Sequence, residues 1–290
     1  MGNSSSFIIE ERQDDTFGSY IRLEAEFVEL KITTAMGPRI FHFGRLGGMN
    51  HFFTDERSQY VADSAHHNSY GQGPWRLIGG HRLGISPETI PGSIYPDNSA
   101  VNWQVMDNGV ILQSNTETWT SLQKEMEVRF TESPGEVVVT HTVHNRSDKS
   151  VVLSIWPITA MAGGGVAIVP QSENGSELAP NRSIAVWPYG SIMDPRVEWG
   201  DRYIKVQQAK GNRWKFGCYN PKGWMAYRNQ NEVFVKRFSV DPDADYPDRG
   251  STCEVFTNES FLELETLSPL QTINPDCKLS FQETWQLLKV

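Results

Sequence analysis

The chain has 290 residues, with 26 Lys and Arg against 35 Asp and Glu, a formal net charge of −9 at pH 7. That balance argues against nucleic acid or an anionic membrane surface as a partner. Hydrophobic residues make up 38% and aromatics 11%, the makeup of a folded chain long enough to bury a sizeable core.

The first residues, Met1 to Glu11, lack the basic and apolar regions of a signal peptide. Met1-Gly2 with Ser6 matches the loose N-myristoylation pattern. The plainer expectation is a disordered polar start over residues 1–6. No window of ~18 apolar residues occurs, so no transmembrane helix is expected. Cys218, Cys253 and Cys277 are widely spaced, without a CxxC or Cys/His metal spacing. Sparse, odd cysteines suit a reducing compartment, so a cytoplasmic location is expected, with no metal and no cofactor.

Helical periodicity is almost missing. Strand-like runs follow one another at 27–32, 39–43, 102–113, 123–130, 136–145 and 151–157. Later ones lie at 203–207, 224–228, 232–238, 253–257, 261–267 and 278–288. Turn residues separate them, as in Ser133-Pro134-Gly135 and Asn229-Gln230-Asn231. In 123–130 one face is Met126, Val128 and Phe130, and the other is charged, as in an antiparallel sheet with one face on the core. Residues 54–101 and 158–202 break the rhythm. Loops this long are functional or disordered, and their content of Trp, Tyr, His and Arg favours function. No internal repeat or linker appears. One all-β domain of antiparallel sandwich type over 1–290 is the expectation.

The run 261–267 carries the strongest chemical signal. Phe261, Glu263, Glu265 and Leu267 share one face, and Leu262, Leu264 and Thr266 the other. Two carboxylates side by side repel and raise each other's pKa. Either one acts on a ligand or both decorate a solvated strand face. Around Gly79-Gly80, a loop brings together Trp75, Arg76, His81, Arg82 and Glu88. His81 suits proton donation at neutral pH. Arg82 suits gripping an acidic group or sugar hydroxyls, and the alternative is an Arg82–Glu88 ion pair bracing the loop. His66 and His67 are adjacent and point apart on an extended chain, so a metal site using both is not expected. His141 and His144 have opposite parity. Trp224, Tyr227, Lys236 and Arg237 lie on a hairpin, where Lys236 either binds an acidic substrate or is a solvated edge lysine. P-loop, GxGxxG, GxSxG and HExxH motifs are missing, which argues against nucleotide-dependent chemistry.

The tail, with Leu264-Glu265-Thr266 followed by a proline, a loop and an alternating closing strand, resembles the galactose mutarotase-like (aldose 1-epimerase-like) superfamily. Met36-Gly37-Pro38-Arg39-Ile40, then Gly47-Gly48-Met49-Asn50, looks like that family's first hairpin. Gly79-Gly80-His81-Arg82-Leu83-Gly84 resembles an uncharacterised branch of it. The resemblance implies a large antiparallel β-supersandwich binding a small-molecule carbohydrate, with Glu265 as catalytic base and His81 as acid. Arg82, Glu88, Trp75, Glu263, His144, Trp224 and Lys236 are then candidates for holding the sugar. Two departures stand out. The family's order is His-Gly-Gly where this chain has Gly-Gly-His. Its second histidine, in an Asn-His-aromatic motif, has no counterpart in Ser154-Ile155-Trp156-Pro157-Ile158-Thr159. The implied activity is acid–base isomerisation at a sugar carbon, most simply mutarotation. The alternatives are a uronate lyase, another epimerase, or a non-catalytic carbohydrate-binding protein.

Overall fold

In a computed structural model the chain is described for residues 7–62, 73–89, 92–173, 175 and 178–290. His66, His67 and the polar start over 1–6 lie outside the described residues.

Two large sheets form, of 11 and 10 strands, and every named ladder is antiparallel. The centre of the 11-stranded sheet runs Ile40–Arg45, His81–Ser86, Val151–Met161, Leu262–Thr266, Cys253–Thr257, Trp214–Cys218. An N-terminal meander of Phe7–Asp14, Gly18–Ala25 and Val28–Thr33 extends one side. The centre of the 10-stranded sheet runs Trp224–Asn229, Glu232–Phe238, Lys278–Lys289, Glu136–Asn145, Leu122–Phe130. Among the described residues no helix is long and apolar enough to cross a membrane. Among the described residues the one helical segment, Pro247–Gly250, is a turn in which Asp248 and Arg249 take left-handed φ of 49° and 66°.

Period-two patterning explains how the sheets face each other. In the closing strand Lys278–Lys289, the residues Leu279, Phe281, Glu283, Trp285 and Leu287 are buried while their neighbours are half-buried or exposed. In Leu122–Phe130, Met126, Val128 and Phe130 turn inward as their alternation requires. Between the sheets Phe43, Phe52, Phe234 and Trp285 pack mostly edge to face, with centroids 5.6 to 5.9 Å apart, the favoured aromatic geometry.

Two of the sequence expectations change. Residues 81–86 are a central strand, not part of a loop. Gly79 and Gly80 take φ of +90° and +65°, and a Cβ on either would lie 2.2 Å from a backbone carbonyl oxygen, of Phe53 and Ile40 respectively. Only glycine fits that entry. The rhythm also continues inside 158–202, where Val151–Met161 runs on to its end and Val166–Pro170, Ile184–Val186 and Val197–Trp199 follow.

Candidate functional site

The site lies on the outer face of the 11-stranded sheet, and strand parity builds it. In Leu262–Thr266 the side chains of Leu262 and Leu264 enter the core, so Glu263 and Glu265 emerge on the other side. Glu265 stands opposite Ile158 on one neighbouring strand and Glu254 on the other, and Ile158 stands opposite Arg82. A lateral row Arg82–Ile158–Glu265–Glu254 therefore crosses four adjacent strands.

Two cations serve three carboxylates. Lys215 Nζ lies 2.8 Å from Glu265 Oε2 and 2.7 Å from Glu254 Oε2. It is held over the rings of Trp156 and Trp187 at 4.6 and 4.7 Å, a cation–π arrangement. The indole Nε1–H of Trp156 donates to Glu265 Oε2 at 2.7 Å. Arg82 Nη1 pairs with Glu263 Oε1 at 3.1 Å, and its guanidinium covers Trp75 at 5.5 Å. Glu265 is 1% exposed, and its Oε1, like Oε1 of Glu254, has no hydrogen-bond partner among the described residues.

The charges do not balance, and burial decides where the proton sits. Desolvation raises the Glu254 carboxyl well above the usual range, against the pull of Lys215 and with the push of Glu265. Burial also raises Glu263, against Arg82. Burial opposes the charge on Lys215, but Glu265 and Glu254 outweigh it and raise its pKa above the ordinary lysine value. Of the two carboxyls against Lys215, Glu254 is the one whose surroundings favour the protonated form, while Glu265 Oε2 accepts from both Trp156 and Lys215.

Next to this group is a cavity of about 250 Å³, whose wall includes Trp75, Arg82, Glu88, Tyr95, Trp156 and Ile158. Glu254, Glu263 and Glu265 stand beside the cavity rather than on its wall. Trp156 belongs to both, since its ring lines the cavity and its N–H holds Glu265. Every cation on the wall that forms part of a described ion pair is already engaged with a protein carboxylate. Arg39 grips Asp97 in two-pronged fashion at 2.5 and 2.7 Å, and Lys124 meets Glu117 at 2.8 Å.

No protein-family model matches the chain, and no curated protein matches it. Solved structures do. A galactose mutarotase-like protein from Lactobacillus casei superposes with a TM-score of 0.61 at 10% identity, covering 93% of this chain and 100% of that one. A galactose mutarotase-like protein from Clostridium acetobutylicum gives 0.57 at 11% identity, with 99% and 100% covered. A TPR-domain containing protein from Parabacteroides distasonis gives 0.63 at 10% identity over 93% of this chain, which spans only 47% of that longer protein. This chain has the galactose mutarotase-like fold.

Within that fold the expected site residues divide. Glu265, Glu263, Arg82, Trp75 and Glu88 come together around Trp156, and Arg82 pairs with Glu263 instead of Glu88. His81 does not join them. It neighbours Arg82 on one strand, so it points to the opposite face, fully buried between the sheets. A proton donor there cannot meet a sugar held at Glu265. Lys236 is neither a solvated edge residue nor a pocket residue, being 0% exposed and 2.9 Å from Glu283 Oε1 in the interior. His144 faces outward from the other sheet, beside Glu125 at 3.4 Å. Trp224 packs near Tyr203, with centroids 6.1 Å apart, on that sheet as well.

Inside the sandwich, His81 Nδ1 contacts Thr159 Oγ1 at 2.8 Å and His81 Nε2 contacts His141 Nε2 at 3.0 Å. Burial pushes both rings below the usual histidine pKa, so both are neutral and one donates to the other. Glu283 Oε2 lies 3.9 Å from each ring. The three groups have the mutual spacing of metal ligands. However, Glu283 already accepts from Trp285 Nε1 at 3.1 Å and from Thr266 Oγ1, and it pairs with Lys236. A dication there would face a buried ammonium, so the donor set fits a hydrogen-bonded network and not a metal.

Sequence reasoning missed Trp156, Lys215, Glu254 and Trp187. Trp156 and Glu254 lie on expected strands, and the pairing of those strands with Leu262–Thr266 brings them beside Glu265. Lys215 alternates with the core residues Trp214, Phe216 and Cys218, but the strand Trp214–Cys218 is only five residues long, too short a run for the period to stand out.

Proposed function

We propose that the chain is a carbohydrate-processing isomerase of aldose 1-epimerase type, with Glu265 as base and Glu254 taking the acid role first expected of His81. The observation that carries this reading is the orphaned Oε1 of Glu265, a buried carboxylate oxygen without a partner beside an aromatic cavity. A buried acceptor left unmatched costs about 1–3 kcal/mol, and a substrate hydroxyl would satisfy it. The fold shared with galactose mutarotase-like proteins supports the choice of a sugar, although fold alone does not determine chemistry.

On this reading Glu265 takes the proton from the anomeric hydroxyl, the C1–O1 bond becomes a carbonyl, and the bond from C1 to the ring oxygen breaks. The ring oxygen takes the proton of Glu254. Rotation about C1–C2 and closure with reversed roles gives the other anomer. Such a pair needs one carboxyl ionised and one protonated near neutral pH, and the unequal surroundings of Glu265 and Glu254 favour that split. The sugar stacks on Trp156 and Trp75 in the cavity. Trp156 lines the cavity and its N–H holds Glu265 Oε2, so one side chain joins the sugar's wall to the base. With Arg82, Arg39 and Lys124 already neutralised, a neutral aldose suits the site better than a uronate.

The test is anomer exchange followed by NMR on freshly dissolved glucose, galactose and glucuronate, with wild type and Glu265→Gln. Acceleration of the neutral sugars that is lost in the variant supports the reading. No acceleration of any of the three rejects it, and binding without turnover then identifies a carbohydrate-binding protein.

A further inference from the structure

Lys236 and Glu283 lie where the strand pattern calls for apolar residues. Both are 0% exposed, on adjacent strands of the 10-stranded sheet, with Phe234 and Trp285 buried beside them. A fully buried ion pair is a poor stabiliser compared with hydrophobic packing of the same volume, so its geometry is the more informative property. The Lys236 ammonium lies 2.9 Å from Glu283 Oε1. Its other contacts are the carbonyl oxygens of Leu264 at 3.3 Å and Pro157 at 3.5 Å. The same Glu283 oxygen accepts from Thr266 Oγ1. The partners thus fall immediately before and after Glu265, and immediately after Trp156.

We propose that the Lys236–Glu283 pair is a positioning device for Glu265, holding from the interior the two strands that carry Glu265 and Trp156. In an extended strand, the inward groups at 264 and 266 set the outward direction of the side chain at 265. Apolar contacts would tolerate small slides of one sheet over the other. Hydrogen bonds from a fixed ammonium and to a fixed carboxylate hold a carbonyl and a hydroxyl at defined points. Displacements of about 1 Å in a reacting group can cost about 10²-fold in rate, so such a hold matters on the opposite face of the sheet. His81 extends the network to the strand of Arg82, through Thr159 Oγ1 at 2.8 Å and His141 at 3.0 Å. Lys236, Glu283 and Thr266 are positioning residues that touch no substrate.

The proposal rests on Glu265 being the base, and its test has one arm that needs no turnover. Thr266→Val removes one hydroxyl without altering any charge. Lys236→Met/Glu283→Gln removes both charges together and leaves none unpaired. Glu265 is faced by Lys215, Glu254, Glu263, Arg82 and Tyr189, and Lys236 acts on it electrostatically through the sheet, so Thr266→Val, which changes none of these, is the cleaner variant. In Thr266→Val, kcat for anomer exchange should fall about tenfold with KM within about twofold. Thr266→Ser should restore kcat. In ligand-free protein, the signals of the Trp156 indole proton and the ¹³C-labelled Glu265 carboxyl should shift from their wild-type positions. A folded Thr266→Val with unchanged kcat and NMR signals overturns the proposal. If wild type turns over no sugar, the isomerase reading fails and the NMR comparison alone decides the positioning role. If the double variant does not fold, Thr266→Val still decides.

Discussion

The central strands of the 11-stranded sheet carry two buried polar groups back to back. On the outer face are Arg82, Glu263, Glu265, Glu254 and Lys215. On the inner face, one residue out of step, are His81, Thr159, Thr266 and their partners Lys236, His141 and Glu283. Both are buried, and both mix carboxylates with cations. The inner group matches one carboxylate with one ammonium and adds donors from Trp285 and Thr266, and among the described residues it leaves His141 Nδ1 unmatched between the sheets. The outer group has more carboxylates than cations, and it leaves Glu265 Oε1 and Glu254 Oε1 unmatched next to a cavity. Burial alone does not identify a reactive site. The mismatch does, because an unmatched acceptor beside a cavity is a standing demand for a ligand group.

The largest expected effect breaks that comparison from the outer side. Glu265→Gln keeps the shape and the capacity to accept from Trp156 but removes the base. Anomer exchange should fall by about 10²- to 10⁴-fold, the usual worth of a positioned general base. The melting temperature should change little, since Lys215 keeps the Glu254 carboxyl 2.7 Å away as a partner when Glu265 is neutralised. Equal rates in the two proteins would make the outer group as structural as the inner one.

The inner face should respond in the opposite way. Lys236→Met leaves Glu283 buried and uncompensated, and breaking such a pair costs about 3–5 kcal/mol. Urea unfolding should show that loss, with a much smaller one when Glu283→Gln is combined. A single variant as stable as wild type would mean that the interior charge is not held as drawn.

The pattern of what the sequence disclosed follows the same line. Alternation in 261–267 was enough to put Glu263 and Glu265 on one face, and the closing strand read correctly as antiparallel. The same rule, applied to residues 81–86, separates His81 from Arg82. It was not applied because Gly79-Gly80 suggested a loop, whereas these glycines admit the chain to a central strand past the Phe53 and Ile40 carbonyls. Lys236 alternates with Phe234 and Phe238, so its inward direction was written in the chain. Its partner Glu283 is distant in sequence, and a charge in a core position looks like an exposed residue until that partner is known. Lys215 alternates with the core residues Trp214, Phe216 and Cys218, but five residues give too short a run for the period to stand out.

Acid sharpens the comparison along the outer face, on the strand Ile40–Arg45. His42 lies there beside Glu29 at 3.4 Å, and burial lowers its pKa to about 4. Lys31, Arg22 and His51 add to that lowering, while Glu29 opposes it. A histidine depressed in the folded state contributes fully above its unfolded pKa, near 6.5. That contribution is lost as pH falls toward 4, because only the unfolded chain takes the proton. Between pH 7 and 5 the loss is about 2 kcal/mol for His42. His42→Gln should lose less stability than wild type over that interval. Identical pH profiles would show that His42 titrates normally and that this part of the face is wetter than its burial suggests.

The smallest effect tests the residue shared by cavity and carboxylate. Trp156→Phe keeps a ring for the sugar and a face for the Lys215 ammonium, but it deletes the donor to Glu265 Oε2. A hydrogen bond to a charged group contributes about 1.5–3 kcal/mol. Its loss leaves Glu265 less firmly held, so kcat for anomer exchange should drop about tenfold while KM stays within about twofold, since the base and a stacking ring both remain. A KM that rises while kcat stays would mean that the indole matters for stacking alone, and that Lys215 by itself holds Glu265 in place.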